Sequence, residues 1–355
     1  MLRTLLLILP MIVSSAIANS QLSAEELELL STLPNRTEMA IGLIDNGEVQ
    51  KMGWVNKKGV LSPIQNSESL FEAGSITKIF TTLTTLVVLE ENQINIDDRA
   101  YDYYPDEEIK GSNQITFRQL MTHTSGLPKM PKNFKWSALR NPSNPVKNYK
   151  EKKVNKYLKD FEQPENLGYQ YSNVGMGSLG FIAANIAKED LSTLMKQEVF
   201  TPLGMTSTTL GITPNQYAQV AGNTGSQKTP RHTWIFTDVT EGAGNLYSNV
   251  DDLLKFTTFA LSSESNHKLM PILKQMEAPQ AKMSRTKSIG LGIKMAERAS
   301  TIYYHGGITY GYKSLLAYNQ DTQKGIIILT KVKGLSLNEN IILTKVGFSY
   351  LSRRH

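Results

Sequence analysis

Two predicted strand pairs, one near each end of the chain, constrain the fold most. Residues 37–56, TEMAIGLIDNGEVQKMGWVN, contain two strand-like runs joined at Asp45-Asn46-Gly47, which favours a tight hairpin turn. Residues 312–331, YKSLLAYNQDTQKGIIILTK, contain a second pair around a polar turn. Helical patterns fill the chain between them. The sequence therefore predicts an α+β fold in which both chain ends contribute to one antiparallel sheet flanked by helices.

The predicted helix that begins at Ser75 is apolar around much of its circumference. Its apolar positions are Ile76, Ile79, Phe80, Leu83, Leu86, Val87 and Leu89. A helix of this kind is buried. Further helices are predicted at about 116–122, 151–161, 173–187, 190–199, 250–263 and 337–351, and residues 128–150 are predicted to be irregular. Because there is no internal repeat and no low-complexity linker, we expect residues 19–355 to form a single domain.

Residues 1–18 have the layout of a secretory signal peptide. Arg3 precedes an apolar run from Leu5 to Val13, and small residues follow as far as Ala18. The apolar run is too short to span a bilayer, so a retained membrane anchor is the weaker interpretation. We therefore expect cleavage after Ala18 and a secreted or periplasmic protein.

Composition excludes several kinds of site. The chain has no cysteine, which excludes thiolate catalysis and disulfide bonds. Its five histidines show no spacing typical of metal ligands, so neither a metal nor a cofactor is predicted.

Charge is concentrated in residues 129–159, which carry ten Lys or Arg residues and one acid, Glu151. No aromatic stacking platform or nucleic-acid-binding module accompanies this stretch, so nucleic acid is not a predicted partner. Two interpretations remain. We favour a solvated surface; the alternative is attraction to an anionic cell-envelope surface or substrate.

The pattern Ser-x-x-Lys occurs three times, at Ser75–Lys78, Ser265–Lys268 and Ser284–Lys287. Only the first lies at the start of a buried helix, where unpaired N–H groups and the positive end of the helix dipole favour an anion. Lys78 lies one turn further on the same face. Burying its ammonium group costs free energy unless the group takes part in chemistry or is paired with another polar group. Ser75 is thus a candidate nucleophile, with an N-capping serine as the alternative.

Two more motifs could complete a serine site. Tyr171-Ser172-Asn173 could supply proton transfer and an amide, and a tyrosine beside a buried lysine is expected to have a lowered pKa. The tripeptide recurs at 247–249, so a packing tyrosine with a capping asparagine is an equal alternative. In His305-Gly306-Gly307-Ile308, two glycines within a strand indicate close backbone approach, and the Ile308 N–H could face that of Ser75 as an oxyanion hole. A β-bulge with an idle histidine is the alternative.

In this order the three motifs resemble the serine β-lactamase and penicillin-binding protein superfamily. The resemblance is to its class C-like branch, which includes D-alanyl-D-alanine carboxypeptidases, D-aminopeptidases and esterases. Supporting stretches are ITFRQLMTHTSGLP (115–128), TPLGM (201–205) and GAGNLYSNVDDLLKF (242–256). The resemblance extends from about residue 38 to the C-terminal helix. No Gly-x-Ser-x-Gly elbow supports a Ser-His-Asp hydrolase instead.

The resemblance implies a role for each residue of the site. Ser75 would be acylated, Lys78 and Tyr171 would share proton transfer, and Asn173 would position the substrate. The N–H groups of Ser75 and Ile308 would form the oxyanion hole, and His123 would be structural. The site would lie between the sheet lobe and a mostly helical second lobe.

The same resemblance implies a peptide or β-lactam-like small substrate. We expect a D-amino-acid-specific peptidase or carboxypeptidase acting on peptidoglycan-type peptides. A β-lactamase, a small-ester esterase and a non-catalytic cell-wall-binding homologue are the alternatives.

One departure from the family pattern bears on the substrate. β-Lactamases of this branch usually carry Lys-Thr-Gly where this chain has His305-Gly306-Gly307. A lysine there is a fixed cation that helps to bind a carboxylate. His305 would be largely neutral near pH 7 and would gain a proton toward pH 6. We therefore expect inefficient β-lactamase activity, and a stronger preference for carboxylate-bearing substrates at pH 6 than at pH 8.

Overall fold

The computed structural model describes residues 20–111, 113–142, 144–222, 234, 236–262, 266–332, 334 and 336–353. The predicted signal peptide, residues 1–18, lies outside these ranges, as do Ser265, His232 and His355. Within the ranges, no helix has both the length and the apolar character needed to cross a membrane.

Twelve strands are present in the described part of the chain. They are β1 (Glu38–Asp45), β2 (Glu48–Lys57), β3 (Val60–Pro63), β4 (Phe71–Glu72), β5 (Thr209–Leu210), β6 (Leu246–Ser248), β7 (Ala281–Ser284), β8 (Lys287–Ile289), β9 (Lys294–Glu297), β10 (Thr301–Ile308), β11 (Tyr312–Asn319) and β12 (Lys324–Lys331). Nine of them form an antiparallel sheet in the order β3-β2-β1-β12-β11-β10-β9-β8-β7, and a small sheet has the order β4-β6-β5. Because β1 pairs directly with β12, the predicted closure of one sheet by both chain ends is confirmed.

The turn between β1 and β2 shows why the first hairpin was predictable. Asn46 has φ 50° and Gly47 has φ 86°, so both central residues are left-handed. A two-residue hairpin turn of this type needs positive φ at both positions, and Asn-Gly is the pair that adopts it most readily. The turn sets the register that places Asp45 opposite Glu48.

Eleven α-helices occur in the same described ranges. They are α1 (Ala24–Ser31), α2 (Thr77–Glu91), α3 (Phe117–Met121), α4 (Lys135–Arg140), α5 (Glu151–Lys159), α6 (Asn173–Ala187), α7 (Leu191–Met195), α8 (Asp238–Glu241), α9 (Val250–Leu261), α10 (Met270–Glu277) and α11 (Asn338–Ser352). The predicted helices are confirmed, with α7 continued by a π-helical turn at Lys196–Phe200. Helices α1, α4, α8 and α10 were not predicted. Helix α4 lies inside the stretch that was predicted to be irregular.

The large sheet is covered on both faces. On β12, Ile326 and Ile328 belong to the apolar layer that includes residues of α1 and α11. Ile327 and Leu329 face the opposite layer, which includes the apolar residues of α2. This alternation is the two-residue period of a strand buried on both sides. Helix α2 is buried from Thr77 to Leu89, which confirms the expected buried helix.

Candidate active site

Ser75 lies in a single 3-10 turn, Gly74–Ile76, which leads directly into α2. Its hydroxyl caps neither this turn nor the helix: the capping position of α2 is Ile76, and neither start has a side-chain cap. Instead Ser75 Oγ lies 3.2 Å from Lys78 Nζ. The N-cap interpretation is therefore excluded, and the hydroxyl faces an amine.

Side-chain hydroxyls fasten the serine turn to both sheets. Ser314 on β11 donates from Oγ to the Ala73 carbonyl over 2.7 Å. On the other side, Leu246 N donates to Thr77 Oγ1 over 3.0 Å. Both contacts are buried, so breaking either would leave an unpaired polar group in the core. The turn is held in one position relative to β11 and β6.

Gly74 lets the end of β10 approach the serine turn closely. Its φ is +53°, and a Cβ built on it would lie 2.9 Å from the Ile308 nitrogen. Thr309 N donates to Tyr312 O, so the neighbouring Ile308–Lys313 pair is the non-hydrogen-bonded pair of the β10–β11 ladder. The Ile308 N–H therefore points away from β11, on the side where Gly74 and Ser75 lie. This arrangement matches the oxyanion hole expected from the sequence.

Lys78 is fully buried, and three oxygen atoms surround its amine. Lys78 Nζ lies 3.2 Å from Ser75 Oγ, 2.9 Å from Asn173 Oδ1 and 2.6 Å from the Ala243 carbonyl. A neutral amine has two N–H donors and one lone pair. The amide and carbonyl oxygens can only accept, so they take both N–H groups, and the lone pair is left for the Ser75 hydroxyl proton.

The electrostatic setting of Lys78 favours that neutral form. Burial lowers the pKa of its ammonium well below the usual value, and the charges of Lys294 and Lys129 lower it further. A desolvated lysine beside other cations is a much better proton acceptor near neutral pH than a solvated one.

Glycines on α6 explain how the Ala243 carbonyl reaches Lys78. A Cβ on Gly177 would lie 2.3 Å from the Val239 carbonyl oxygen, and one on Gly180 would lie 3.4 Å from Gly242 Cα. Larger residues at these positions would push the 239–243 segment away from α6, and with it the Ala243 carbonyl that reaches Lys78. The glycine-rich start of α6 is thus a packing requirement of the site.

Ser172 and His123 place Tyr171 at the start of α6. Ser172 caps the helix by accepting from Gly175 N over 2.8 Å, and it donates to the Pro128 carbonyl over 2.9 Å. Ser172 N donates to His123 Nδ1 over 3.2 Å, and the His123 ring lies 4.6 Å from that of Tyr171, centroid to centroid. These contacts give His123 a positioning role, in line with the structural role implied by the sequence.

Tyr171 faces two lysines, yet its pKa moves opposite to the sequence-based expectation. Lys78 Nζ and Lys294 Nζ lie 4.9 and 4.8 Å from the centroid of its ring. Burial raises the pKa of the phenol, and hydrogen bonding to Ser75 opposes the rise only in part. The expected lowering was wrong, because removal from water outweighs the hydrogen bond to Ser75. Tyr171 therefore holds its proton at neutral pH.

The second Tyr-Ser-Asn tripeptide lies outside the catalytic cluster. Asn249 caps α9 by accepting from Asp252 N over 2.9 Å. Tyr247 donates from its hydroxyl to Glu72 Oε1 over 3.0 Å. The same oxygen accepts from Trp234 N over 2.7 Å, and burial raises the pKa of Glu72 to about 7. Sequence reasoning missed this carboxyl, although an acid inside the apolar SLFEAG run was a visible signal.

His305 is buried beside Tyr171, with its ring centroid 6.4 Å from that of the tyrosine. Its Nδ1 lies 2.9 Å from the Gly306 carbonyl, which can only accept, so Nδ1 carries the proton and Nε2 is an acceptor. Burial, together with the charges of Lys294 and Lys78, holds the pKa of His305 well below 6.5. The expected protonation toward pH 6 was therefore wrong. The expected stronger preference for carboxylates at pH 6 than at pH 8 stays a prediction, but it cannot come from His305.

We expect the His305 imidazole to remain neutral from pH 8 to pH 6. In ¹⁵N-correlated NMR spectra, its two ring nitrogens should keep the distinct shifts of the Nδ1-protonated tautomer across this range. A His305→Gln variant assigns the signals. Convergence of both nitrogens on imidazolium shifts near pH 6 would contradict the burial argument.

Lys294 is a site residue that sequence reasoning missed. It begins β9, pairs with Tyr304 on β10, and extends to the Tyr171 ring. Burial lowers its pKa to about 8, and the charges of Lys287 and Lys129 contribute. The signal in the sequence was a lysine at the end of the otherwise apolar run IGLGIKM. Below pH 8 it is the cation that the His305 tripeptide lacks.

These groups border a cavity of about 500 Å³. The catalytic cluster contributes Ser75, Tyr171, Asn173, Ala243, Lys294 and Ile308 to its lining. Much of the remaining wall is apolar or aromatic, from Met130, Phe134, Val146, Tyr149, Tyr169, Trp234, Phe236 and Leu337. The cavity is large enough for a small peptide, and its polar groups converge at Ser75.

Comparison with known proteins matches this geometry to one family. Residues 28–342 match the Beta-lactamase family model. Penicillin-binding protein 4* of Bacillus subtilis (strain 168) is 24% identical over 297 residues, covering 78% of this chain and 64% of that protein. A β-lactamase of Pseudomonas fluorescens is 27% identical over 187 residues, covering 51% and 49%. The chain thus spans less than two thirds of the length of these curated relatives.

Solved structures share the fold. A β-lactamase/D-alanine carboxypeptidase from Pseudomonas syringae has a TM-score of 0.71 at 18% identity, covering 91% of this chain and 96% of that one. A class C β-lactamase from Rhodobacter sphaeroides has a TM-score of 0.70 at 17% identity, covering 89% and 95%. The likeness extends over nearly the whole of each molecule.

Proposed function

The chain belongs to the beta-lactamase family, and we propose that within it the chain is a serine peptidase that cleaves amide bonds next to D-amino acids. The proposed substrates are peptidoglycan-type peptides. The observation that carries the catalytic part is the Lys78 amine, fully buried and 3.2 Å from Ser75 Oγ, with both of its N–H groups directed to other oxygens.

Acylation follows from the resting protonation states. Ser75 Oγ attacks the substrate carbonyl carbon as its proton passes to the lone pair of Lys78. The carbonyl π electrons move to oxygen, and the N–H groups of Ser75 and Ile308 stabilise the resulting oxyanion. Asn173 is held by Lys78 through Oδ1, and its Nδ2 lies 3.6 Å from Met130 Sδ, so one amide N–H is left for a substrate carbonyl in the cavity.

Collapse of the tetrahedral intermediate requires a proton for the leaving amine. Tyr171 still carries its proton, because burial raises its pKa, and it can donate to the amine nitrogen as the C–N bond breaks. The ammonium of Lys78 then returns its proton to the Tyr171 phenolate, which restores both groups to their resting states. Attack by water on the acyl-enzyme runs the same transfers in reverse and frees Ser75.

The proposed substrate class rests on a cation beside Tyr171 in the cavity wall, to which Lys129 also belongs, and on the names of relatives. Lys294 lines the cavity beside Tyr171 and can pair with a carboxylate on the leaving side of the scissile bond. A free C-terminal carboxylate next to that bond is the mark of a carboxypeptidase substrate. One relative is named as a penicillin-binding protein, and one structural neighbour as a β-lactamase/D-alanine carboxypeptidase.

Lys294→Met is expected to raise KM for a carboxylate-bearing peptide by about tenfold or more, because a charge-assisted hydrogen bond is lost. A neutral ester of the same acyl group should show little change in KM. The pKa of Lys294 is depressed to about 8, so the wild-type preference for the carboxylate should be present below pH 8 and decline as pH rises through 8. The ratio of kcat/KM values for the two substrates across pH measures this preference.

Two variants control the Lys294 experiment. Lys294→Arg should retain the preference above pH 8, because arginine stays charged. Lys282→Met removes a lysine that is paired with Glu297 on the same sheet, and it should leave the ratio unchanged. An unchanged ratio in Lys294→Met would mean that Lys294 does not bind the carboxylate.

Intact-mass measurement after mixing with benzylpenicillin tests the reaction class. A persistent adduct on Ser75, together with release of D-alanine from a D-alanyl-D-alanine peptide, supports the peptidase. Rapid loss of penicillin without a lasting adduct would indicate a β-lactamase. Ester hydrolysis without either reaction would indicate an esterase, and no reaction at all a non-catalytic homologue.

We also place this activity outside the cytoplasm. The support is the signal-peptide layout of residues 1–18, together with peptidoglycan as the proposed substrate. Mass analysis of the mature N-terminus after expression in a bacterial host tests cleavage after Ala18.

A further inference from the structure

Exposed apolar side chains are concentrated around the cavity. Among the described residues, the large apolar side chains that expose 41–71% of their surface are Val49, Val60, Trp136, Leu139, Leu167, Leu337 and Ile341. Five of these belong to segments that line the cavity or directly adjoin its lining. Val49 and Val60 are the exceptions, on β2 and β3 at the opposite side of the sheet from β9 and β10. Solvent exposure of this kind around a binding cavity marks an interaction surface.

Helix α4 presents the most exposed pair. Trp136 exposes 71% and Leu139 60% of their surface, and three residues along a helix places them on one face. Ser137, between them, is buried and anchors the other face. The helix directly follows Phe134, which lines the cavity. Because the Ser137 side of the helix packs against the protein, Trp136 and Leu139 stay exposed to solvent.

Basic side chains flank this apolar pair along the chain. All ten basic residues of the 129–159 stretch are exposed: Lys129, Lys132, Lys135, Arg140, Lys147, Lys150, Lys152, Lys153, Lys156 and Lys159. Within the part of the chain that the structure describes, Lys159 is the one that forms an ion pair, with Glu108. The other nine charges face solvent. Helix α5 carries the exposed residues Lys152, Lys153 and Lys156, and its buried residues are Val154 and Leu158.

From this combination we propose that helix α4 and the surrounding basic surface dock the protein onto an anionic lipid bilayer, with Trp136 and Leu139 in the headgroup region. Tryptophan is favoured at that depth because its ring is apolar and its N–H is polar. Lysine and arginine near the surface are attracted by anionic headgroups. An anionic polymer would use the same charges and leave the indole in water, so the exposed Trp-Leu pair favours a bilayer.

Docking in this way would place the cavity beside the membrane surface. Phe134 and Leu337 line the cavity from two sides, and the exposed residues that follow them, on α4 and α11, border it. Substrates held near the bilayer would then reach Ser75 from that side. The proposal goes beyond the proposed function and does not depend on it: Lys129 lines the cavity, but the residues changed in the test, Lys132, Lys135, Trp136 and Leu139, do not.

Co-sedimentation with lipid vesicles tests the proposal. The full chain lacking residues 1–18 should bind vesicles that contain phosphatidylglycerol and bind pure phosphatidylcholine weakly. Binding should weaken as salt rises, because exposed charges are screened beyond about 10 Å at 0.1 M. Trp136→Ser with Leu139→Ser should weaken binding by about tenfold or more through lost apolar burial. Lys132→Glu with Lys135→Glu should weaken it by a similar factor.

Matched controls separate insertion into a bilayer from attraction to an anionic polymer and from a loss of folding. Val60→Ser changes a side chain that is as exposed as Leu139, 61% against 60%, and should leave vesicle binding unchanged. Hydrolysis of a small soluble substrate should be the same in every variant, which shows that each is folded. Full vesicle binding by the Trp136/Leu139 variant, or no binding by the wild type, would overturn the proposal. Equal competition by soluble polyglutamate would also overturn it, in favour of an anionic polymer.

Discussion

Replacing Ser75 with alanine is expected to abolish hydrolysis and covalent labelling while leaving the fold intact. Loss of a nucleophile lowers the turnover of a serine hydrolase by roughly 10⁶-fold. Stability should change little, because the hydroxyl caps neither the 3-10 turn nor α2. Lys78 keeps its two other oxygen partners, Asn173 Oδ1 and the Ala243 carbonyl. Intact mass after penicillin treatment and a thermal unfolding curve measure the two halves of this result.

Ser284→Ala is the matched control for this change. Ser284 also has a lysine three residues later, Lys287, but it lies exposed at the end of β7 rather than at the start of a buried helix. Its removal should leave both labelling and hydrolysis at wild-type levels. A well-folded Ser75→Ala protein with full activity would rule out the proposed acyl-enzyme.

Features of the site that depend on local pattern were predictable from the sequence. The Asn46-Gly47 turn and the strand pairs at 37–56 and 312–331 were readable because their signals lie within a few residues of one another. The same is true of the buried helix after Ser75 and of its i+3 lysine. The glycines of the 305–308 segment indicated a close approach, and a Cβ on Gly307 would collide with the Ala73 carbonyl oxygen and with Ser314 Oγ.

Features that depend on distant segments were not predictable. The Ala243 carbonyl reaches Lys78 from a segment that packs closely against glycines on α6. Lys294 reaches Tyr171 through the pairing of β9 with β10. These contacts join segments that are far apart in the chain, and no local sequence pattern indicates that they meet.

The sequence-based predictions of protonation states were wrong for the same reason. The sequence placed a lysine beside a tyrosine and therefore predicted a lowered pKa for Tyr171, whereas burial raises it. It placed a histidine near a substrate carboxylate and therefore predicted protonation near pH 6, whereas burial and two lysines hold the pKa of His305 well below 6.5. Desolvation depends on everything packed around a group, so it cannot be obtained from neighbours in the sequence.

Tyr171→Phe is expected to lower turnover by about 10²- to 10⁴-fold, the usual contribution of a general acid or base. Only the hydroxyl is removed, so the ring should still pack against His123 and the two lysines. Acylation should suffer most for amides, whose leaving nitrogen needs a proton, and least for an ester with an acidic alcohol. Comparing the two substrates in single-turnover experiments measures this selectivity. An equal loss for both would mean that Tyr171 does not protonate the leaving group.

Tyr247→Phe removes the same hydroxyl from the other Tyr-Ser-Asn tripeptide and should affect stability rather than chemistry. Its hydroxyl donates to the buried carboxyl of Glu72, so the change leaves that group with one donor fewer, at a cost of about 1–3 kcal/mol.

The pKa of Glu72 is already raised to about 7, and losing a donor to the carboxylate raises it further. A raised carboxyl pKa does not lower the free energy of unfolding while Glu72 is protonated in both the folded and the unfolded state. It lowers that free energy progressively as the pH rises above the pKa of Glu72 in the unfolded chain. The destabilisation of Tyr247→Phe should therefore be larger at pH 8 than at pH 5, while turnover of the folded protein changes less than about tenfold. Equal losses of turnover in the Tyr171 and Tyr247 variants would mean that catalysis does not distinguish the two tripeptides, and the acid–base role of Tyr171 would fall.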